Sequence, residues 1–114
     1  MKVHTVPATV YYNSTHTTDL RYLVWDDWNV PHIARHEVTP EEVEAACQAE
    51  PVLYRRSYKG RLMLLGETPT GRVLAIVIGP VPGAPSGTYY PFTARPADRR
   101  ESRYYNDLKG GSES

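Results

Sequence analysis

The second half of the chain consists of short extended segments separated by turns, and this pattern limits the fold more than any other feature. Residues 61–66 and 72–78 carry apolar side chains on both faces, which is typical of strands inside a sheet. The turn between them has proline early and glycine late. Further extended segments lie at 52–58 and at 89–95, where Pro91 favours an edge or a bulge. Consecutive strands with short connections predict an antiparallel meander.

A strand at about 20–26 and two helical segments precede this meander, and one helix follows it. The first helical segment covers about 30–36. The second begins at Thr39, a plausible N-cap, with Glu42 in the capping-box position, and runs to about Ala49. A last helix covers about 98–109. The predicted fold is therefore α+β, with a three- to four-stranded antiparallel sheet, two helices N-terminal to it and one C-terminal helix.

At 114 residues the chain has room for one domain. Composition predicts a partly ordered N-terminal extension at 1–20, the domain at 21–109 and a flexible tail at 110–114. No apolar run approaches the roughly 20 residues that cross a bilayer, and the N-terminus lacks the features of a signal peptide. A single cysteine, Cys47, makes no internal disulfide, which favours a cytoplasmic location.

Charge is distributed unevenly although the net charge is zero. Residues 1–51 hold three basic and eight acidic side chains, a balance of −5, whereas residues 52–109 hold ten basic and four acidic, a balance of +6. This asymmetry indicates either a polyanion-binding face or two halves that neutralise each other in the fold.

The segment 93–105 is rich in arginine and tyrosine and lies at a strand-to-helix junction. Its cationic and aromatic residues are Arg95, Arg99, Arg100, Arg103, Tyr104 and Tyr105. Guanidinium groups bind phosphate, and aromatic faces stack on bases. Basic residues of the adjoining strands extend the patch: Arg55, Arg56, Lys59, Arg61 and Arg72. The alternative is a solvated amphipathic helix whose arginines pair with glutamates.

His32 and His36 form a second candidate site, because the i, i+4 spacing places both rings on one side of a helix. One use is acid–base chemistry near neutral pH. Metal binding with Asp26 or Asp27 as third ligand is another, although the glutamate of an HExxH motif is absent. A third is structural, with the imidazoles joining helix to sheet.

The order of motifs resembles the BrnT family of toxins from bacterial type II toxin–antitoxin systems. The matching pieces, over about 21–107, are Trp25-Asp26, Asn29, His32-Ile33, Arg35-His36, 38–44, Gly60-Arg61-Leu62, 66–68, 71–74, 93–97, Arg99-Arg100, Glu101 and Tyr104. The chain departs from the family at Glu37, where a glycine is usual, and in a long proline-rich loop at 79–87.

The resemblance implies a RelE-like fold and a metal-independent endoribonuclease, a hydrolase that inhibits translation. It implies that Arg95 with Arg61 or Arg72 holds the scissile phosphate, while His36 or His32, or alternatively Tyr104, moves the proton. The residues expected to bind RNA are Lys59, Arg99, Arg100, Arg103 and Tyr105. It also implies an antitoxin partner with a ribbon-helix-helix domain, and neither metal nor cofactor. The competing hypothesis is a non-catalytic BrnT-like interaction module that binds a protein or nucleic acid; homo-oligomerisation is left open.

Overall fold

Strands and short helices alternate along the chain in a computed structural model that describes residues 2–12, 16–49 and 51–110. The strands are β1 (Lys2–Tyr12), β2 (His16–Trp25), β3 (Leu53–Arg56), β4 (Leu62–Glu67), β5 (Val73–Pro80) and β6 (Thr88–Pro96). The helices are α1 (Asn29–Ala34), α2 (Pro40–Cys47) and α3 (Arg99–Gly110), and a 3-10 turn covers Tyr58–Gly60. Residues 1 and 13–15 of the predicted extension and residues 111–114 of the predicted tail lie outside the described residues.

The six strands form a closed barrel in the order β1-β2-β6-β5-β4-β3. Neighbours are antiparallel except at two places: β2 runs parallel to β6, and β1 runs parallel to β3. The second parallel contact closes the barrel through a single backbone pair, Tyr11 with Leu53. The radius of gyration is 13.3 Å, close to the roughly 13 Å expected for a compact domain of about 100 residues.

The fold is α+β, but the predicted three- to four-stranded antiparallel sheet is wrong, as is the placement of two helices N-terminal to it. The sheet is mixed and six-stranded, and two strands precede α1. They occupy most of the stretch read from the sequence as an extension. That stretch is poor in leucine and isoleucine, yet threonine, tyrosine and valine favour extended backbone, and the β1–β2 hairpin pairs them.

One core fills the space between the sheet and the first two helices. Its fully buried members include Leu23 from β2, Leu64 from β4 and Ile76 from β5, with Ile33 of α1 and Val43 of α2 packed among them. Cys47 lies in this core as well, and burial raises the pKa of its thiol to about 12. The thiol therefore stays protonated near neutral pH, in keeping with a small buried hydrophobe.

The predicted start of α2 is confirmed. The Thr39 hydroxyl accepts a hydrogen bond from the Glu42 backbone N–H at 3.2 Å, and the Glu42 carboxylate accepts one from the Thr39 N–H at 3.1 Å. The helix ends at Cys47, two residues earlier than expected. Gly66 of β4 lets it approach closely, since a Cβ there would lie 2.2 Å from the Ala46 carbonyl oxygen.

Helix α3 lies outside the barrel and begins with the predicted Asp98–Glu101 capping box. Tyr105 is its single buried residue. The Tyr105 ring packs with Leu65 and Ala75, and its hydroxyl donates to the Pro51 carbonyl oxygen at 2.7 Å. Two ion pairs, Glu101 with Arg95 and Lys109 with Glu67, also join the helix to the sheet. None of the helices in the described ranges has the length and apolar character of a membrane span.

Candidate functional site

A buried asparagine joins the end of β2, the start of α1 and strand β6. The Asn29 side-chain amide donates to the carbonyl oxygens of Val24 and Pro91 at 2.9 and 3.1 Å, and its oxygen accepts from the Asp26 N–H at 2.9 Å. All three hydrogen bonds involve the side chain of Asn29, which is fully buried. Asn29 thereby fixes the position of α1 relative to β6.

Strand β6 contains a bulge at the same place, as Pro91 predicts. Val77 of β5 pairs with Thr93 and Ile78 pairs with Pro91, so Phe92 is the additional residue between them. The bulge turns both Phe92 and Thr93 to the outside of the barrel, where they line the same groove. Gly79 is needed there, because a Cβ at this position would lie 2.8 Å from the Phe92 ring.

Between α1 and this bulge lies an open groove of about 790 Å³, here called the aromatic groove. Its lining residues used below are Trp28, His32, Arg61, Tyr90, Phe92 and Thr93. The ring of Trp28, which is 55% exposed, stacks on that of His32 with centroids 4.7 Å apart. The Arg61 guanidinium carbon lies 3.7 Å from the Phe92 ring centroid, and Tyr90 packs edge-on against Phe92 at 5.1 Å.

The hydroxyl of Tyr90 is held by a carboxylate. It donates to both oxygens of Asp26, at 2.9 and 3.0 Å, while Asp26 also accepts the backbone N–H groups of Trp28 and Asn29. These contacts, the Asn29 N–H first, lower the pKa of Asp26. Desolvation and the Asp26 charge raise the pKa of Tyr90 to about 12. At neutral pH Tyr90 is therefore a neutral donor with a fixed ring.

The structure brings only part of the predicted catalytic set together. His32 and Arg61 both line the aromatic groove. The His36 ring lies edge-on to the His32 ring with centroids 6.2 Å apart but does not line the groove. The groove thus combines one histidine and one arginine of that set with aromatic faces.

Two other predicted catalytic arginines, Arg72 and Arg95, do not line the aromatic groove and donate hydrogen bonds to other protein groups. The Arg72 guanidinium donates to the Glu37 carbonyl oxygen and to Glu42 Oε2, at 2.9 and 3.0 Å, and so joins β5 to the α1–α2 connection. The Arg95 guanidinium donates to both carboxylate oxygens of Glu101, at 2.7 and 2.9 Å. This pair raises the pKa of Arg95 and lowers that of Glu101. Both arginines therefore have structural partners.

The remaining predicted residues lie on α3 or near β3. Tyr105 is buried, whereas Tyr104 is 47% exposed. Arg99, Arg100 and Arg103 are exposed on α3, and Lys59 lies in the 3-10 turn with a positive φ of 61°. Of these residues, Arg100 and Tyr104 line a second pocket of about 370 Å³ between α3 and β3–β4, here called the α3 pocket.

Sequence reasoning missed Tyr90 and Phe92 as site residues. The signal was present, because residues 89–92 read Tyr-Tyr-Pro-Phe, the densest aromatic run of the chain. A proline-induced bulge next to alternating aromatic side chains indicates a strand that displays them.

Metal binding by the pair His32 and His36 would require a third ligand close to the two rings. Within the parts of the chain that the structure describes, no three His, Cys, Asp or Glu side chains are grouped as metal ligands would be.

No protein-family model, no curated protein and no solved structure matches the chain. The resemblance to the BrnT family therefore stays a prediction based on the order of its motifs.

Proposed function

We propose that this protein is a binding module for single-stranded RNA and that the aromatic groove is the binding surface. The single observation that carries the proposal is the exposed Trp28–His32 stack beside an arginine-covered phenylalanine. Bases without a pairing partner stack on aromatic side chains, and each such contact contributes about 1–3 kcal/mol.

Arg61 supplies the charge that such a ligand requires. Its guanidinium lies over Phe92 but forms no hydrogen bond or ion pair with any residue that the structure describes. The N–H groups at its edge are therefore available to a phosphate oxygen, while its plane stays on the ring. A base on Trp28 and a phosphate at Arg61 are the two contacts that we assign to one strand.

The groove is also rigid before any ligand binds. Asp26 holds Tyr90, Asn29 holds the bulge, and Gly79 leaves room for Phe92. A preformed aromatic surface loses little conformational entropy on binding, which favours affinity.

A toxin ribonuclease is the second candidate, favoured by one observation: His32 and Arg61 share the groove. Cleavage of RNA needs a group that takes the proton of the ribose 2′-OH and a cation that stabilises the charged phosphorane. His32 would take the first role and Arg61 the second. An antitoxin partner and a cytoplasmic location belong to this candidate as expectations.

The test is the binding of a labelled single-stranded RNA of about ten nucleotides, a length within the range that single-strand binders cover. At low ionic strength, we expect Trp28→Ala and Arg61→Gln each to weaken binding by roughly tenfold or more, since each removes about 1–3 kcal/mol. Arg99→Gln, which removes an exposed arginine on α3, is the matched control and should bind as the wild type does. Absence of wild-type binding, or an equal loss in the control, contradicts the proposal.

The same RNA, recovered after incubation, separates the two candidates. Intact RNA supports the binding module. Cleavage that His32→Gln abolishes, with binding retained, supports the ribonuclease instead.

A further inference from the structure

The α3 pocket lies between the N-terminal part of α3 and the outer face of β3 and β4. Tyr105 is the buried residue of this helix, and the residues that precede it in α3 leave a gap above the two strands. The floor of the gap is apolar and consists of Leu53, Met63 and Leu65. Its volume of about 370 Å³ lies within the roughly 300–1,000 Å³ typical of small-molecule sites.

The two carboxylates at the rim are already satisfied. Both oxygens of Glu101 accept from Arg95, and Oε1 also accepts the Asp98 backbone N–H at 2.9 Å. Asp98 Oδ1 accepts the Glu101 N–H at 2.8 Å. Both oxygens of Glu101 and Oδ1 of Asp98 are therefore engaged within the capping box or with Arg95.

The two arginines at the rim differ from the carboxylates in their contacts with the rest of the protein. Arg55 on β3 and Arg100 on α3 both line the pocket and are exposed. Neither side chain forms a hydrogen bond or ion pair with another residue in the described ranges. Two exposed guanidinium groups without internal hydrogen bonds therefore face a shared cavity with an apolar floor, and Arg55 also attracts the Glu101 carboxylate electrostatically.

Tyr104 completes the rim with a flat aromatic ring that is 47% exposed. From the apolar floor, the aromatic ring and the two guanidinium groups, we propose that the α3 pocket binds a small molecule with a flat apolar body and one anionic group, a carboxylate or a phosphate ester. The body would lie on Met63 and Leu65 beside Tyr104, and the anionic group would contact Arg55 and Arg100. This site shares no lining residue with the aromatic groove and does not depend on RNA binding.

Three related probes test the chemistry: 2-naphthoate, the uncharged 2-naphthamide and 2-naphthyl phosphate. Backbone amide chemical shifts of the full chain report where each probe binds and how tightly. We expect 2-naphthoate to shift residues of the pocket, and 2-naphthamide to bind roughly tenfold more weakly because charge-assisted hydrogen bonds are lost. Tighter binding of the phosphate ester than of the carboxylate assigns the site to phosphate esters, and the reverse order assigns it to carboxylates.

The double variant Arg55→Gln/Arg100→Gln should reduce naphthoate affinity roughly tenfold or more and leave naphthamide affinity unchanged. Arg103→Gln, an exposed arginine of α3 that does not line the pocket, is the matched control. All three side chains are exposed, so the variants should keep the wild-type amide spectrum elsewhere. Equal binding of naphthoate and naphthamide, or shifts that fall outside the pocket, overturns the proposal.

Discussion

The carboxylate of Asp26, which directly follows β2, connects the start of α1 to strand β6. It accepts the N–H groups that open α1 and, with both oxygens, the hydroxyl of Tyr90 on β6. Because all these donors stabilise the ionised form, the pKa of Asp26 is lower in the folded protein than in the unfolded chain. Its contribution to stability is therefore present above the unfolded pKa and is lost as the pH falls through the folded pKa.

We expect Asp26→Asn to lower the free energy of unfolding at pH 7, because the charge-assisted contacts to Tyr90 and to the start of α1 weaken. The difference between wild type and variant should narrow as the pH falls from about 4, the pKa of the unfolded chain, through the lower pKa of the folded protein, because the unfolded chain binds the proton first. Urea unfolding at a series of pH values measures this difference. A difference in the free energy of unfolding that stays constant over this pH range would contradict the role assigned to the ionised Asp26 carboxylate.

The backbone of Glu37 has a left-handed conformation, which is unfavourable for a residue with a Cβ. Its φ is 60°, in the left-handed region, and it follows α1 where the Val38 N–H bonds back to the Ile33 carbonyl oxygen. This is the helix C-terminal position that glycine usually fills. The BrnT resemblance leads one to expect a glycine at this position. The positive φ gives a conformational reason for that expectation.

Glu37→Gly should therefore stabilise the protein by about 0.5–1 kcal/mol, since relief of the left-handed strain exceeds the added entropy of the unfolded chain. Glu41→Gly is the matched control. It lies inside α2 with ordinary helical backbone and should destabilise by about 1 kcal/mol. Thermal unfolding of both variants gives the comparison, and destabilisation by both would rule out the strain argument.

At the scale of elements, the contact between α2 and β4 depends on a glycine. A Cβ at Gly66 would lie 2.2 Å from a backbone oxygen of α2, so the helix itself has to move. Buried Cys47 and Val43 leave little room for such a movement. Backbone proximity of this kind, unlike the helix cap of α2, leaves no trace in the local sequence.

Gly66→Ala should destabilise the protein by about 3 kcal/mol, at the upper end of the usual range for overpacking. Gly110→Ala, at the end of α3 with no atom within 4 Å of its Cβ, should leave stability nearly unchanged. Chemical denaturation measures both. Equal effects would show that the approach of α2 is less tight than the distance implies.

At the scale of the whole molecule, a single acidic residue ties α2 to the N-terminal hairpin. Glu44 Oε2 accepts from Trp25 Nε1 at 2.9 Å and lies 2.5 Å from His4 Nδ1. These contacts join the helix to both β1 and β2. They support the end of the hairpin where Lys2 pairs with Trp25, which is the opposite end of β1 from Tyr11, whose pairing with Leu53 closes the barrel.

We expect Glu44→Gln to loosen this junction. Amide hydrogen exchange should become faster in β1 and β2, while β4 and β5, which pair along their whole length, should keep their protection. An increase spread evenly over all strands would instead indicate a general loss of stability.

Local signals predicted the elements better than their assembly. The Thr39 capping box, the Asp98 capping box and the Pro91 bulge follow from residues a few positions apart, and the structure contains all three. The barrel depends on pairings such as Tyr22 with Thr88, which no local pattern encodes. The same holds for the site: His32 and Arg61 were predicted as candidates, but only the fold places them in a groove with Phe92.

The parallel contact between β2 and β6 has a consequence for synthesis. Tyr22 and Leu23 pair with Thr88 and Tyr89, which lie 66 positions further along the chain, so β2 is synthesised well before these partners. Contacts so distant in sequence form late and slow folding. On the ribosome, one side of β2 therefore remains without its neighbour until β6 emerges, and the nascent chain is most prone to misassociation during that interval.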